Sequence, residues 1–253
     1  MADREPSMRN DAAAWSDFDA QEYWKLNYSS VLPEDAEIIR YASRFLIEAC
    51  GMRPPYKRAV DVGAGANLYP GLLMLPWAEH IAFTEYASPN IHWLSENLPD
   101  APGEWRWQPF WALMAGLPCY RAVEQPRRRL ADVHEIRTVS IFDLPPRTWD
   151  LGSMFFVADS MTTDEAEFKL ALRSFLGALV PGAPVLMAFM EGGTGYDVSG
   201  IRFPAVNVTL MSLDALLAEL PVTGISVLRT DKSIREVRLG YDAMLLVTGF
   251  VTE

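Results

Sequence analysis

The sequence predicts an α/β protein built on a doubly wound, mostly parallel sheet of seven strands. Three observations carry that expectation. From about residue 59 onward, short apolar runs alternate with helical stretches. A glycine-rich turn, Gly63-Ala64-Gly65, joins the first apolar run to the helical stretch after it. The last two apolar runs follow each other with no helix between them, so they are expected to pair antiparallel.

The elements follow in order. Residues 1 to about 14 are polar and expected to fray. From Trp15 the text turns aromatic, with Phe18, Tyr23, Trp24 and Tyr28. Pro33-Glu34-Asp35 opens a helix in which Ile38, Ala42, Phe45, Leu46 and Ala49 recur at spacings of three and four. Gly51 with Pro54-Pro55 stops it. Strands are expected at 59–62, 81–84, 138–142, 151–157, 184–190, 224–228 and 243–251. Helices are expected at about 68–75 and at 89–98, the second with Ser88 as N-cap and Pro89 at its first position. A further helix starts near Thr162, whose spacing to Glu165 fits a capping box, and ends at Pro181-Gly182; another starts at Ser212. The stretch 99–135 interrupts the alternation and carries Trp105, Trp107, Phe110 and Trp111 before Arg127-Arg128-Arg129. The expected division is therefore an N-terminal tail and helical segment, 1–54, and a main domain, 55–253, with an aromatic-rich insertion at about 99–135.

Composition narrows the function. Lys and Arg number 22 against 33 Asp and Glu, a formal charge of −11. An acidic surface does not attract nucleic-acid phosphate, so no nucleic-acid partner is expected. Half the residues are hydrophobic, which excludes a disordered chain. Cys50 and Cys119 make neither a disulfide scaffold nor a Cys-x-x-Cys metal motif, so no metal is expected. The first residues lack the basic-then-apolar order of a secretory leader, and no apolar run approaches the roughly 18 residues that would span a bilayer. The expectation is a cytoplasmic, reduced protein without a membrane partner.

The first apolar run leads directly into Asp61-Val62-Gly63-Ala64-Gly65-Ala66-Asn67. Glycines there let the backbone turn sharply and approach a ligand. The dinucleotide pattern G-x-G-x-x-G would need a glycine at 68, which is Leu68, so a pyrophosphate-binding turn is disfavoured. Glu85 ends the second run, 85 − 61 = 24 residues after Asp61. A carboxylate there accepts hydrogen bonds from both hydroxyls of a ribose and donates none. Taken singly, Asp61 reads equally well as a turn residue and Glu85 as a solvated strand end. Together they point to a nucleoside.

A third feature follows. Ala178-Leu179-Val180-Pro181-Gly182-Ala183-Pro184 is a helix end, a turn and the start of a buried strand. This order, with the closing pair of strands, resembles class I S-adenosylmethionine-dependent methyltransferases, with Ala183 where that family has a second glycine. Within it the chain is similar to the small-molecule group of nicotinamide, phenylethanolamine, indolethylamine and thioether methyltransferases. Three segments carry this. Phe18-Asp19-Ala20-Gln21-Glu22-Tyr23 with Tyr28 resembles the group's N-terminal lid, Ala20 and Gln21 replacing Pro and Arg. Asp61 through Asn67, Leu68 and Tyr69 matches its D-I-G-S-G-P-T-I-Y motif. Thr84-Glu85-Tyr86-Ala87-Ser88-Pro89-Asn90 resembles T-D-Y-S-x-x-N, with Glu for Asp.

The resemblance implies a Rossmann-like methyltransferase fold with an N-terminal helical lid, and S-adenosyl-L-methionine as cofactor. It implies that Asp61, Gly63 and Gly65 hold the methionine portion, and that Tyr23, Tyr28 and Tyr69 reach its carboxylate. Glu85 and Asn90 would hold the ribose, with Tyr86 in the same motif. Glu191, ranked above Asp159, would orient the acceptor, with Thr194 and Tyr196 in the same loop; each acid can also be a loop or capping residue. Trp107, from the aromatic cluster, would line the acceptor pocket or else pack as core. The expected reaction is methyl transfer to a small molecule, at an amine or heterocyclic nitrogen. Open alternatives are an O- or S-methyltransferase of a secondary metabolite and a catalytically inactive, cofactor-binding regulator.

Overall fold

The computed structural model describes residues 7–51, 58–98, 103–231 and 240–253. The Pro54-Pro55 stop, the boundary at 54/55, the first residues of the chain and of the 99–135 insertion, and most of the connection between the last two strands lie outside them. Asp19 caps α1 (Ala20–Tyr28), accepting the Glu22 N–H at 2.9 Å. α2 (Pro33–Cys50) begins on a proline, whose missing N–H is no loss at a helix start, and stops at Gly51 with φ +53°. β1 (Ala59–Val62), α3 (Tyr69–Met74), β2 (Ile81–Glu85) and α4 (Ser88–Asn97) alternate as expected. Three short helices with proline in the first turn follow: α5 (Gln108–Ala112), α6 (Pro118–Arg121) and α7 (Pro126–Val133). Then come β3 (His134–Thr138), β4 (Leu151–Phe155), α8 (Glu165–Ala178) and β5 (Pro184–Glu191). A small hairpin, β6 (Tyr196–Val198) and β7 (Ile201–Phe203), precedes α9 (Leu210–Leu217), β8 (Val222–Arg229) and β9 (Ala243–Val251).

Among the described residues, seven strands form one sheet in the order β3-β2-β1-β4-β5-β9-β8. β3 through β5 pair in parallel, while β9 runs antiparallel between β5 and β8. Every residue of β1, β2, β4 and β5 is buried, as a sheet covered on both faces requires. One apolar layer joins α2, α3 and α4 to the sheet through Ile38, Leu46, Leu72 and Trp93. The other joins α8 and α9 through Phe168, Leu172, Phe175, Leu213 and Leu216.

Four local expectations are corrected. The third strand is His134–Thr138, not 138–142, and Ile141–Asp143 is a 3-10 turn. β3 is an edge strand; its Glu135 and Arg137 pair at 2.9 Å, so it carries no apolar run to betray it. α8 is capped by Asp164, which accepts from Ala166 and Glu167 N–H, while Thr162 Oγ1 accepts the Asp164 N–H one step earlier. Ser88 is the first residue of α4, with Ala87 as N-cap. α9 starts at Leu210, and Ser212 is the inner partner of a capping box with Thr209. The β6–β7 hairpin was not expected. Its turn is Ser199-Gly200, both at positive φ (+50° and +81°), and its strands are too short to show a period.

α3 lies close on β2. A Cβ on Gly71 would come within 2.5 Å of Phe83 Cζ, and Phe83 is fully buried. Gly71→Ala is therefore expected to cost ~1–3 kcal/mol of stability by overpacking. Urea unfolding checks this; an unchanged midpoint would mean that the two elements have room to separate.

Candidate active site

A cavity of about 830 Å³, counted to its open mouth, lies at the carboxyl ends of β1, β2, β3 and β4. The strand order reverses between β1 and β4, where doubly wound sheets leave a crevice. Its floor is the turn after β1. Gly63 (φ +64°) and Gly65 (φ +54°) both occupy the left-handed region. A Cβ at Gly63 would fall 2.5 Å from Val157 Cγ1, so this turn tolerates no side chain there. The opposite wall comes from the N-terminal segment, with Asn10, Trp15, Phe18, Tyr23 and Tyr28, and from Tyr196 of β6.

Glu85, at the end of β2, is the acid on the cavity wall. Its Oε2 accepts from Gly65 N–H at 2.9 Å and from Asn90 Nδ2 at 3.2 Å. Its Oε1 accepts from Tyr86 N–H at 2.7 Å and Ala87 N–H at 2.9 Å. Burial raises its pKa, and these four donors work against that rise. Asn90 Oδ1 and Asn67 Nδ2, on two residues of the same wall, have no hydrogen-bond partner among the described residues. An acceptor and a donor are thus left over beside an acceptor-only carboxylate and a bare glycine turn. That set suits a ribose diol at one end and an amino-acid carboxylate at the other, so the residues fit S-adenosylmethionine.

Phe156, just past β4, has φ +60°, rare for an aromatic residue, and its N–H donates to Ala188 O at 2.7 Å. Held so, Phe156 lines the cavity between the glycine turn and Tyr196. Strain of this kind persists where the surroundings over-determine it, and it clusters at sites.

The cavity wall brings together Tyr23, Tyr28, Gly63, Gly65, Glu85, Tyr86, Asn90 and Tyr196. Asp61 lies beneath it, 1% exposed, its Oδ1 accepting from Ser153 Oγ at 2.7 Å. Desolvation pushes its pKa up to about 8, against the Ser153 bond and with help from Glu85. Tyr69 also lies off the wall. As the first residue of α3 it points inward, stacks on Phe110 at 5.7 Å and donates its hydroxyl to Asp35 Oδ1 at 3.1 Å.

Four acceptor-side expectations are corrected by side-chain direction. Glu191 turns away from the cavity: it accepts Leu210 N–H at the start of α9 and pairs with Arg229. Asp159 accepts Met190 N–H at 2.9 Å, tying the end of β5 to the loop after β4, and is not on the wall. Thr194 is exposed. Trp107 is core, 2% exposed, packed against Tyr28 with ring centroids 5.9 Å apart. Sequence reasoning passed over Asn67, which sits inside the motif it quoted. It also passed over Asn10, Ser140 and Phe156, for which no local pattern gave a signal.

Known proteins resemble the chain in sequence family and in fold. The model described as the NNMT/PNMT/TEMT family matches residues 7–247. Among solved structures, the N-methyltransferase NodS from Bradyrhizobium japonicum WM9, in complex with S-adenosyl-L-homocysteine, is 11% identical with a TM-score of 0.51, covering 92% of this chain and 96% of that one. The 1,6-didemethyltoxoflavin-N1-methyltransferase of Burkholderia thailandensis, with 1,6-didemethyltoxoflavin and S-adenosylhomocysteine bound, is 15% identical with a TM-score of 0.53, covering 93% and 83%. A S-adenosylmethionine-dependent methyltransferase from Methanosarcina mazei is 12% identical with a TM-score of 0.55, covering 88% and 100%. No curated protein sequence matches the chain.

Two outcomes follow from the buried acids. Glu191→Ala is expected to lower stability by ~1–3 kcal/mol, the Arg229 side being partly solvated, while leaving S-adenosylhomocysteine affinity unchanged. Paired urea unfolding and calorimetry check both halves; lost affinity would return Glu191 to the site. Asp61 is the second case. Between about pH 4 and about pH 8 the unfolded chain ionises this carboxyl and the folded protein keeps it protonated. Its contribution to stability therefore falls as pH rises through that window and is level above it. Asp61→Asn is expected to flatten the wild-type decline between roughly pH 5 and pH 8, measured by urea unfolding at each pH. A decline of wild-type steepness in the variant would refute this. Asp35, raised to about 7, leaves some slope in both proteins.

Proposed function

We propose that this protein, which belongs to the NNMT/PNMT/TEMT family and is an S-adenosylmethionine-dependent methyltransferase, places the methyl group on a nitrogen of a small basic molecule. What carries the reading is the make-up of one cavity. It has the Glu85 carboxylate and the glycine turn at one end, and Phe156, Ser160 and Tyr196 at the other, under Trp15, Phe18 and Tyr23. In this reading Glu85 and Asn90 hold the ribose, and Gly63, Gly65 and Asn67 hold the methionine portion. Tyr86, half-exposed at the mouth, and Tyr28 complete the enclosure. The cofactor supplies a methyl group activated on a sulfonium.

The chain's own work is then alignment and exclusion of water. Holding donor and acceptor in line can lower a barrier by roughly 7–11 kcal/mol. The segment 7–28 acts as a lid. It is tied down by Asn10 N–H to Glu167 at 2.8 Å and by Ser199 Oγ to Asp19 at 2.9 Å. Its rings stack with the hairpin, Trp15 on Phe203 at 5.2 Å and Tyr23 beside Tyr196 at 6.1 Å. Aromatic faces favour a cation or a flat heterocycle. Nitrogen also suits the two relatives in the fold whose names state N-methyl and N1-methyl transfer.

Calorimetry with S-adenosylhomocysteine tests the cofactor half. Losing the charge-assisted bonds of Glu85 costs ~1.5–3 kcal/mol, so Glu85→Ala is expected to weaken binding on the order of 10- to 150-fold. Product mass spectrometry over amines, alcohols and thiols tests the nitrogen half; turnover of alcohols or thiols alone would overturn it.

A further inference from the structure

Behind Tyr23 and Tyr28 the cavity has a narrow annex, with room for about one small polar group, walled also by Phe156, Asp35, Met190 and Met244. Tyr23, Tyr28 and Phe156 line both spaces, so the two share a wall. The annex reaches the ends of β5 and β9, whereas Glu85 stands on β2. The sheet order β2-β1-β4-β5-β9 therefore puts the ribose end and the annex on opposite sides of the glycine turn. A cofactor anchored at Glu85 and at that turn leaves the annex for the polar head of the second substrate, whose body lies against the rings of the main cavity.

Asp35 is 1% exposed. Its Oδ1 accepts from the Tyr69 hydroxyl, while its Oδ2 has no hydrogen-bond partner among the described residues, the Leu32 backbone exerting only the weakest pull on it. Leaving a carboxylate oxygen buried and unpaired is costly. No lysine, arginine or histidine is among the described residues of the annex wall. Glu34 beside it, whose Oε1 accepts from Tyr241 at 2.8 Å, adds like charge. Desolvation holds the Asp35 carboxyl near 7, where a proton exchanges readily at neutral pH.

We propose that Asp35 receives the acceptor nitrogen, its Oδ2 taking an N–H of a primary or secondary amine seated against the rings of Tyr23, Tyr28 and Phe156. This rests on the nitrogen reading above and gives it the acid that Glu191, turned toward α9, does not supply. An amine arriving as R–NH3+ gives one proton to Asp35, leaving R–NH2 and a carboxylic acid. The freed nitrogen pair forms the new N–C bond as the C–S bond breaks with its pair going to sulfur. The product is R–NH2–CH3+ beside neutral S-adenosylhomocysteine.

The test titrates protein loaded with S-adenosylhomocysteine with benzylamine, 2-phenylethylamine and hexylamine, and with the matching alcohols, in wild type, Asp35→Asn and Asp35→Glu. Asp35→Asn is expected to keep S-adenosylhomocysteine affinity and alcohol affinity, and to weaken the amines by about ten-fold or more. Asp35→Glu, which keeps the charge, is expected to restore part of that loss. Amine affinity unchanged in Asp35→Asn overturns the proposal and leaves the nitrogen reading standing. Loss of S-adenosylhomocysteine binding in both variants overturns it by placing Asp35 in the cofactor's own support. A wild type that binds and methylates none of the amines overturns the proposal and the nitrogen reading together.

Discussion

The geometry of the site depends on one carboxylate. Glu85 stands at the end of β2, yet Oε2 takes the Gly65 N–H from the turn after β1. Gly65 can present that N–H because it sits at φ +54°, a region that other residues rarely adopt. The same carboxylate takes the N–H groups of Tyr86 and Ala87, which start the chain toward α4, and the side-chain amide of Asn90 inside α4. One side chain thus ties two strand ends and a helix into a single rim. The resembled group usually has Asp at this position. The extra methylene of Glu gives the reach to bond across the rim and to its own following residues at once. Any ribose would have to share or displace these donors, which makes rim and ligand compete for the same oxygens.

The acidity of the chain takes on structure when the buried acids are followed one by one. Asp61 has Ser153, Glu34 has Tyr241, Asp35 has Tyr69, Asp159 has the Met190 N–H, and Glu191 has Leu210 N–H and Arg229. Asp159 and Glu191 stand at carboxyl ends of central strands, the place where doubly wound folds put functional acids. Both instead satisfy backbone groups that would otherwise be orphaned where a strand or helix begins or ends. A strand end presents two demands, binding and capping, and a carboxylate answers either. Only side-chain direction decides between them, and here it decides for capping.

That distinction also marks what was legible in the sequence. β1, β2, β4, β5 and β9 were read from their apolar runs because a strand buried on both faces writes itself as one. β3 was misplaced because an edge strand carries charges, and β6–β7 was missed because three-residue strands show no period. Gly63, Gly65, Glu85 and Asn90 were legible because the glycine turn and the acid depend on local spacing within one strand-turn-helix unit. Tyr69, first in α3, and Trp107, the N-cap residue of α5, carried the right chemistry, but the start of each short helix directs them into the core, and no spacing rule gives that direction. Asp35 was read as an acid opening a helix, which it is. Its second role depends on Tyr69, Phe156 and Met244, residues far apart in the chain that only the fold brings together.

The distribution of charge around the site gives these parts a common direction. Glu85 and Asp35 are the acids on the walls of the cavity and its annex, and no lysine, arginine or histidine is among the described residues of those walls. A low-dielectric space lined this way favours cations at both ends. Before the reaction, in the reading argued above, positive charge sits on sulfur beside the glycine turn. Afterwards it sits on nitrogen in the annex, next to a carboxyl whose neighbour Glu34 makes the surroundings more negative still. With the amine's proton on Asp35, the carboxyl meets that charge as a neutral acid, so its work is done on the amine as it arrives and not on the methyl transfer itself. The cost of burying Glu34 and Asp35 side by side is then offset in the bound state, where a cation sits against them.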